Sequence, residues 1–424
     1  MKPPTRIGII GMGGFAGWHH LTVARLEERG LAKLVCTCDP QAAVFAEAQQ
    51  DWRLAARGVG IFGDYRAMLD ACQGQLDLVV VPTPIQLHAQ MHEAVTARGL
   101  PAYLEKPPTL DHLELERMIA ADRRARKSSL VGFNFIVEKP RLALKERLLA
   151  GEFGAVRGAT LSALWPRPTS YFRRNNWAGR LFVDGGIVLD SCFGNAMAHF
   201  VHNMLFWTGA PGLFSWAQVA AVRAELYRAH AIEGADTFFV ETDTAAGITM
   251  RFAVTHACAG PSPHRETVLC DRAALDYVVG DHAEVRWTDG RVERIPLGPF
   301  DGLSENHLEY YRYLNGELPR PATTLVDSRP FVELNDLAYV SSGRIAPIPP
   351  ALVTGTRNDQ DQKDYLEVAG LPATVEQFLT RGLWPGANGW ERAGGEVATP
   401  ADLPRLAEVL RSLTAQNQLS PRPA

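Results

Sequence analysis

The first 135 residues alternate between two hydrophobic patterns. Short apolar runs occur at Ile7–Ile10, Leu31–Asp39, Ile61–Phe62, Leu76–Val81, Pro101–Leu104 and Leu130–Phe135. Nearly unbroken runs such as L-D-L-V-V-V suit strands of a parallel sheet covered on both faces. Between them, helical periodicity predicts helices at Trp18–Glu28, Ala42–Trp52, Tyr65–Ala71, His88–Gly99 and Asp111–Lys127. Strands and helices alternating at this spacing predict an α/β fold built on a doubly wound parallel sheet. Such a sheet binds ligands outside the carboxyl ends of its strands.

Further along, the pattern changes. A helix at Arg141–Ala150 leads to an alternating strand at Val156–Trp165. Short strands follow at Phe238–Val240, Ala245–Thr255, Glu266–Cys270, Leu275–Val279 and Ala283–Trp287, with a hairpin signal at Asp289-Gly290. Consecutive strands with short links predict an open, mainly antiparallel sheet in a second α/β domain, closed by helices at Asn306–Gly316 and Val326–Ser342. From Val353 the character shifts again, through R-N-D-Q-D-Q-K-D and P-G-A-N-G, with short helical patterns at Ala373–Arg381 and Ala401–Ala415. The expected organisation is a doubly wound domain at 1–130, a second domain at 131–352 and an extension at 353–424. The extension is expected to pack on the body or on a partner subunit, with Ser420–Ala424 mobile.

Composition narrows the class. A net charge of −4 over 424 residues gives no reason to expect nucleic acid or an anionic membrane as partner. No long apolar segment suggests a signal peptide or a membrane span. The six cysteines lie at 36, 38, 72, 192, 258 and 270, without a C-x-x-C pair, and no metal-ligand spacing occurs. Free thiols in a cytoplasmic chain are expected.

The organising stretch is Ile7–His20, I-G-I-I-G-M-G-G-F-A-G-W-H-H. Strand, glycine turn and helix together make a dinucleotide fingerprint. Gly11 permits the tight turn, Gly13 lets the backbone approach a pyrophosphate, and Ala16 allows close helix–strand packing. Gly14 and Phe15 complete the turn, whose amides would hold the pyrophosphate. Asp39, at the end of the second strand, is placed to accept from an adenosine ribose. No Arg or Lys lies within Pro40–Val44, so NAD is favoured over NADP. Thr83, Pro84 and His88 follow one strand end, and Glu105 and Lys106 follow another. Both groups are assigned to the cofactor side of the site. His19 and His20 are expected to be structural or cofactor-adjacent.

G-M-G-G-F-A, V-P-T-P-I-Q-L-H at 81–88, E-K-P at 105–107 and V-G-F-N at 131–134 occur in this order. In that order the chain resembles the Gfo/Idh/MocA oxidoreductases, the glucose–fructose oxidoreductase and inositol dehydrogenase group, from about Thr5 to Pro349. The resemblance implies a Rossmann domain, a second domain with an open sheet, a nicotinamide cofactor and a sugar, inositol or polyol substrate. It points to Lys106 as the proton-transfer group and brings Asn134 to the substrate. The family usually has an Asp followed four residues later by a His. Here Asp190 follows the turn Asp184-Gly185-Gly186, but position 194 is glycine.

Lysine beside a nicotinamide cation suits the proton step, because desolvation and a neighbouring charge lower its pKa. Asp190 is expected to orient substrate. A helix starting near Phe193 would place Asn195, His199 and His202 on one face. His199 is then an auxiliary catalytic candidate, and Asn195 and His202 are substrate contacts. In Y-F-R-R-N-N-W-A-G-R at 171–180, Arg173, Arg174 and Trp177 suit a sugar or its anionic group. The leading expectation is NAD-dependent oxidation of a secondary hydroxyl by a cytoplasmic homo-oligomer joined through the second sheet. The alternatives are a lyase or glycosidase using transient oxidation, and a non-catalytic dinucleotide sensor.

Overall fold

A computed structural model of the chain describes residues 3–260 and 262–419. Two compact units emerge. The first comprises Met1–Thr109, Leu113–Glu138 and Asp301–Ser328; the second comprises Leu110–His112, Lys139–Phe300 and Arg329–Ala424.

In the first unit the strands are β1 (Thr5–Ile10), β2 (Ala32–Cys38), β3 (Gly60–Phe62), β4 (Leu78–Val81), β5 (Ala102–Leu104) and β6 (Leu130–Val131). They form one sheet in the order β3-β2-β1-β4-β5-β6, parallel throughout. The doubly wound parallel sheet is as expected. β4 and β5 are buried along their whole length, as their unbroken apolar sequence requires. The order reverses beside β1, where the glycine turn leads into the helix Ala16–Glu28. The helix Gly302–Leu314, expected to close the second domain, belongs to this first unit. Its Asn306 amide donates to Asn134 Oδ1 at 2.7 Å, and its Tyr310 hydroxyl lies 3.0 Å from the Ser128 carbonyl.

The second unit contains β7 (Val156–Leu164), β8 (Phe182–Val183), β9 (Gly186–Ile187), β10 (Val219–Arg228), β11 (Thr237–Thr244), β12 (Thr249–Thr255), β13 (Arg265–Cys270), β14 (Ala273–Val278), β15 (His282–Trp287), β16 (Val292–Pro296), β17 (Ile345–Pro347), β18 (Val353–Asn358) and β19 (Lys363–Val368). Nine of them form a sheet in the order β16-β15-β14-β13-β7-β12-β11-β10-β17. The β7–β12 and β10–β17 pairs are parallel; the other neighbours are antiparallel. The helix Ala198–Thr208 packs against β7 and β13. Beneath it, Glu266 accepts from Arg141, Trp207 and Asn203 at 2.5, 2.6 and 2.8 Å. Both oxygens of this buried carboxylate thus accept hydrogen bonds.

The extension packs on the body. Its polar run R-N-D-Q-D-Q-K-D forms the tip of the β18–β19 hairpin, which the sequence pattern did not show. The helix Leu371–Arg381 lies on β12 and β7, with Phe378 fully buried against Phe239 at 5.2 Å. Trp390 packs edge-on against Tyr227 at 4.9 Å. The expectation for Ser420–Ala424 lies outside the described residues. All six cysteines are free, five of them buried and Cys270 partly so. No helix among the described residues is long and apolar enough to cross a membrane.

Candidate functional site

In the first unit, Gly11 has φ +112°, a conformation that L side chains rarely adopt, and its amide donates to the Cys38 carbonyl at 2.7 Å. A Cβ on Gly13 would meet Phe45 Cζ at 3.1 Å. The turn is closed by Asp39, whose Oδ2 accepts from the Met12 amide at 3.0 Å and Oδ1 from the Gln41 amide at 2.9 Å. Among the described residues, the amides of Gly13, Gly14 and Phe15 have no protein acceptor. Three free donors at a helix N-terminus, with a carboxylate at the next strand end, fit a dinucleotide. Ala16 is buried at the helix start, and Phe15 is exposed.

The loops after β4 and β5 are tied together by His88. Its Nε2 lies 2.8 Å from the Thr83 carbonyl, and its Nδ1 lies 3.1 Å from the Pro107 carbonyl and 3.2 Å from that of Pro108. His88 is buried, so it braces the segments carrying Thr83, Pro84 and Lys106. Burial pushes its pKa down, against the pull of those carbonyls.

Glu105 is nearly buried. Its Oε1 lies 3.0 Å from His19 Nε2, and its Oε2 accepts from the Lys106 amide at 3.2 Å. Gly132 makes room for this carboxylate, because a Cβ there would meet Glu105 Oε1 and Tyr103 at 3.0 Å each. His19 Nδ1 lies 3.0 Å from His307 Nε2, and His307 Nδ1 lies 3.0 Å from the Tyr311 hydroxyl. Sequence reasoning missed His307 and Tyr311, since they arrive from a segment almost 300 positions after His19 (|i−j| = 288). Lys106 itself is half-buried. Asn134 was expected at the substrate. It is nearly buried, and its Oδ1 accepts from the Tyr103 hydroxyl at 3.0 Å and from Asn306 at 2.7 Å. This network fastens the helix Gly302–Leu314 to the sheet. His20 lies with Nε2 3.2 Å from the Gly11 carbonyl and stacks on Trp52 at 4.2 Å.

In the second unit, Asp184 and Gly185 both have positive φ, +50° and +80°, as a two-residue hairpin turn requires. Past this turn β9 is only Gly186–Ile187, ending before Asp190. Asp190 is nearly buried, with Oδ2 accepting from the Gly179 amide at 2.7 Å and Oδ1 from Asn195 Nδ2 at 2.6 Å. Asp190 therefore pins the substrate loop candidate, 171–180.

The continuous helix expected from Phe193 is not formed. Cys192–Ala196 is a π-helical turn capped by the Ser191 side chain, and the α-helix starts at Ala198. This shifts the phase, so Asn195 belongs to the Asp190 turn, while His199 and His202 belong to the helix. His202, expected as a substrate contact, is fully buried against Trp216 at 5.2 Å and Phe331 at 6.5 Å. His199 is half-buried. Gly194 is enclosed: a Cβ would meet Asn335 Oδ1 and Leu110 Cδ1 at 2.8 Å each. The position has no space for the family's usual imidazole.

Arg173 is exposed. The Arg174 guanidinium lies over Tyr171 at 3.6 Å and over Trp177 at 4.8 Å. Arg167, which the sequence did not single out, lies over the same Tyr171 ring at 4.6 Å.

The reversal of strand order at a glycine turn with free amides, next to Asp39, fits a dinucleotide-binding domain of the Rossmann class. Residues 5–133 match the oxidoreductase family with an NAD-binding Rossmann fold, and residues 142–276 match its GFO/IDH/MocA C-terminal domain. The chain belongs to the Gfo/Idh/MocA oxidoreductase family. It is 28% identical over 193 residues to dTDP-3,4-didehydro-2,6-dideoxy-alpha-D-glucose 3-reductase of Actinomadura kijaniata, 44% of this chain and 52% of that protein. It is 26% identical over 183 residues to inositol 2-dehydrogenase of Rhizobium meliloti, 42% and 51% of the two chains. The matches span about half the length of these relatives. In fold it is similar to the WlbA dehydrogenase of Bordetella pertussis, solved with NADH and UDP-GlcNAcA. The TM-score is 0.62 at 23% identity, over 80% of this chain and 96% of that one.

Proposed function

We propose that the protein is an NAD-dependent oxidoreductase that oxidises a secondary hydroxyl of a sugar, sugar acid or polyol, taking hydride from the carbinol carbon. The observation that carries this reading is Lys106, at the end of β5, beside a Glu105 carboxylate held by a buried histidine pair. NAD bound on the glycine turn supplies the hydride acceptor. Asp39 accepts from the adenosine ribose hydroxyls and disfavours a 2′-phosphate. Lys106 takes the hydroxyl proton, and Glu105 holds the Lys106 backbone amide in place. Asp190 holds the substrate loop and orients the substrate, and His199 is auxiliary. His88 and Asn134 support the site rather than touch ligands, and His202 belongs to the core.

The named activities of the relatives support this reading: a sugar 3-reductase and an inositol 2-dehydrogenase. The free thiols favour a cytoplasmic location. A homo-oligomer would use the uncovered part of the nine-stranded sheet. A groove of about 980 Å³ runs there between Thr160, Thr267, Arg265 and the helix Leu371–Arg381, and Leu269 is 44% exposed beside it.

The test is absorbance at 340 nm during incubation with NAD and a panel of sugars, sugar acids and inositols. Net NADH supports the proposal. Product without net NADH favours the lyase or glycosidase route, for which the closed pocket at Gly194 is the supporting observation. NAD binding without turnover across the panel favours the sensor.

A further inference from the structure

The segment Trp165–Trp177 builds an alternating stack of rings and cations. The Arg167 guanidinium lies 4.0 Å from the Trp165 ring centroid and 4.6 Å from that of Tyr171. Arg174 lies 3.6 Å from the same Tyr171 centroid and 4.8 Å from Trp177. Two cations thus share one ring. Neither they nor Arg173 form an ion pair with any carboxylate among the described residues. Elsewhere on this chain arginines commonly do pair, as Arg180 does with Glu233 and Arg251 with Glu241.

Arg167 is also stiffly held. It sits between Pro166 and Pro168, whose rings fix φ on either side, and its amide donates to the His256 carbonyl at 3.2 Å. Its Nε is buried and has no acceptor in the protein. The nearby imidazoles bring no charge to the cluster. Burial holds His256 down at about 3 and His264 at about 4, with Arg167 adding to the effect. Arg167 is itself shifted down, first by burial, with the like charge of Arg174 contributing. The turn Thr169–Arg173 is backed by β19 of the extension, whose Tyr365 lies within electrostatic range of Arg167. Asp190, on which the loop is pinned, is close enough to act on both Arg167 and Tyr171.

A half-buried guanidinium fixed between aromatic faces, with a free N–H and a second cation on the same ring, is a preorganised anion receptor. We propose that Arg167 and Arg174, stacked on Tyr171, form an anion subsite in the substrate loop, so that the sugar substrate carries a carboxylate or a phosphate. This inference rests on the oxidoreductase reading for the word substrate, and its geometry stands on the second unit alone.

The experiment is isothermal titration calorimetry of the whole 424-residue chain saturated with NADH, which accepts no hydride from the probes. The probes are D-glucose, D-glucuronate, D-glucose 6-phosphate and UDP-glucose, at 50 mM and 500 mM NaCl. We expect a charged probe to bind at least about tenfold more tightly than D-glucose, with the advantage shrinking at high salt. Glucuronate leading identifies a carboxylate; either phosphorylated probe leading identifies a phosphate. Arg167→Met and Arg174→Ala should each cut the advantage to below about threefold, and Arg167→Lys should retain part of it. Circular dichroism melting checks that each variant is folded, and Arg174→Ala, at an exposed position, keeps the test available if Arg167→Met is not. The proposal is overturned if no charged probe outbinds D-glucose, or if the preference survives both Arg167→Met and Arg174→Ala. Binding is read without turnover, so oxidation of neutral sugars alone would remove the subsite and leave the hydride-transfer reading intact.

Discussion

His307 Nε2 lies 3.0 Å from His19 Nδ1 in the buried interior of the first unit. Burial holds His307 well below the usual imidazole range, so it is neutral. One hydrogen-bond direction satisfies the whole chain: Tyr311 O–H donates to His307 Nδ1, His307 Nε2–H donates to His19 Nδ1, and His19 Nε2–H donates to Glu105 Oε1. This direction leaves both Glu105 oxygens as acceptors, one for His19 and one for the Lys106 amide.

Breaking the chain should change the proton chemistry. In His307→Phe, His19 loses its fixed tautomer and Glu105 its assured donor. Loss of a buried hydrogen-bond partner costs about 1–3 kcal/mol. Turnover is expected to fall by roughly tenfold, with a displaced pH profile of kcat/KM and an unchanged Kd for NAD. His307→Gln, which keeps a donor, should recover part of it. A variant that is merely less stable, with the wild-type pH profile, would remove the chain from the account.

Asp39 has two duties, and its substitution should show both. The carboxylate holds the glycine turn through the Met12 amide, and in the proposed function it also accepts from the adenosine ribose. Asp39→Ala is expected to weaken NAD about tenfold or more, by loss of charge-assisted hydrogen bonds. It should weaken NADP less, because the repulsion of the 2′-phosphate is also gone. Fluorescence titration with both cofactors checks this. Equal affinity of the wild-type protein for NAD and NADP would contradict it.

Acid should loosen the same turn. His20 is buried, and burial lowers its pKa to about 4 against the pull of the Gly11 carbonyl. Its Nδ1 has no partner, so a second proton would have no acceptor. A histidine depressed in the fold binds protons more readily when unfolded, so its contribution to stability is complete above about 6.5 and is lost as pH falls toward 4. From pH 7 to pH 5 this one group costs about 2 kcal/mol. His256 and His264, held at about 3 and about 4, act with the same sign. Denaturant unfolding at the two pH values should show the loss, and His20→Asn should reduce it. A His20→Asn protein with undiminished acid sensitivity would contradict the assignment.

The first unit was legible because its information is local. A β-branched strand, three glycines and an acid at the next strand end each declare their role within about 30 positions. The second sheet was legible where strands alternate. β10 was missed because A-A-V-R-A-E-L-Y-R carries good helix formers; it is a strand because β11 and β17 pair with its two edges. The hairpin β18–β19 hid behind a polar tip. The site residues that were misplaced or missed all depend on distant packing. His307 comes from the returning helix. Asn134 is engaged by Asn306, and His202 is covered by Trp216 and Phe331. Gly194 was visible as a departure from the family pattern. That Asn335 and Leu110 fill the space was not.

Lys106 is proposed to carry the proton step of an NAD-dependent oxidation. Its most direct test is the rate of NADH formation at 340 nm, with a substrate found from the panel, for wild-type protein and Lys106→Met side by side. Loss of a general base typically costs 10²–10⁴-fold, about 3–5 kcal/mol of barrier. A fall of about that size in kcat is expected for Lys106→Met, with NAD affinity nearly unchanged. Near-normal turnover in Lys106→Met, with turnover abolished in His199→Ala, would contradict it.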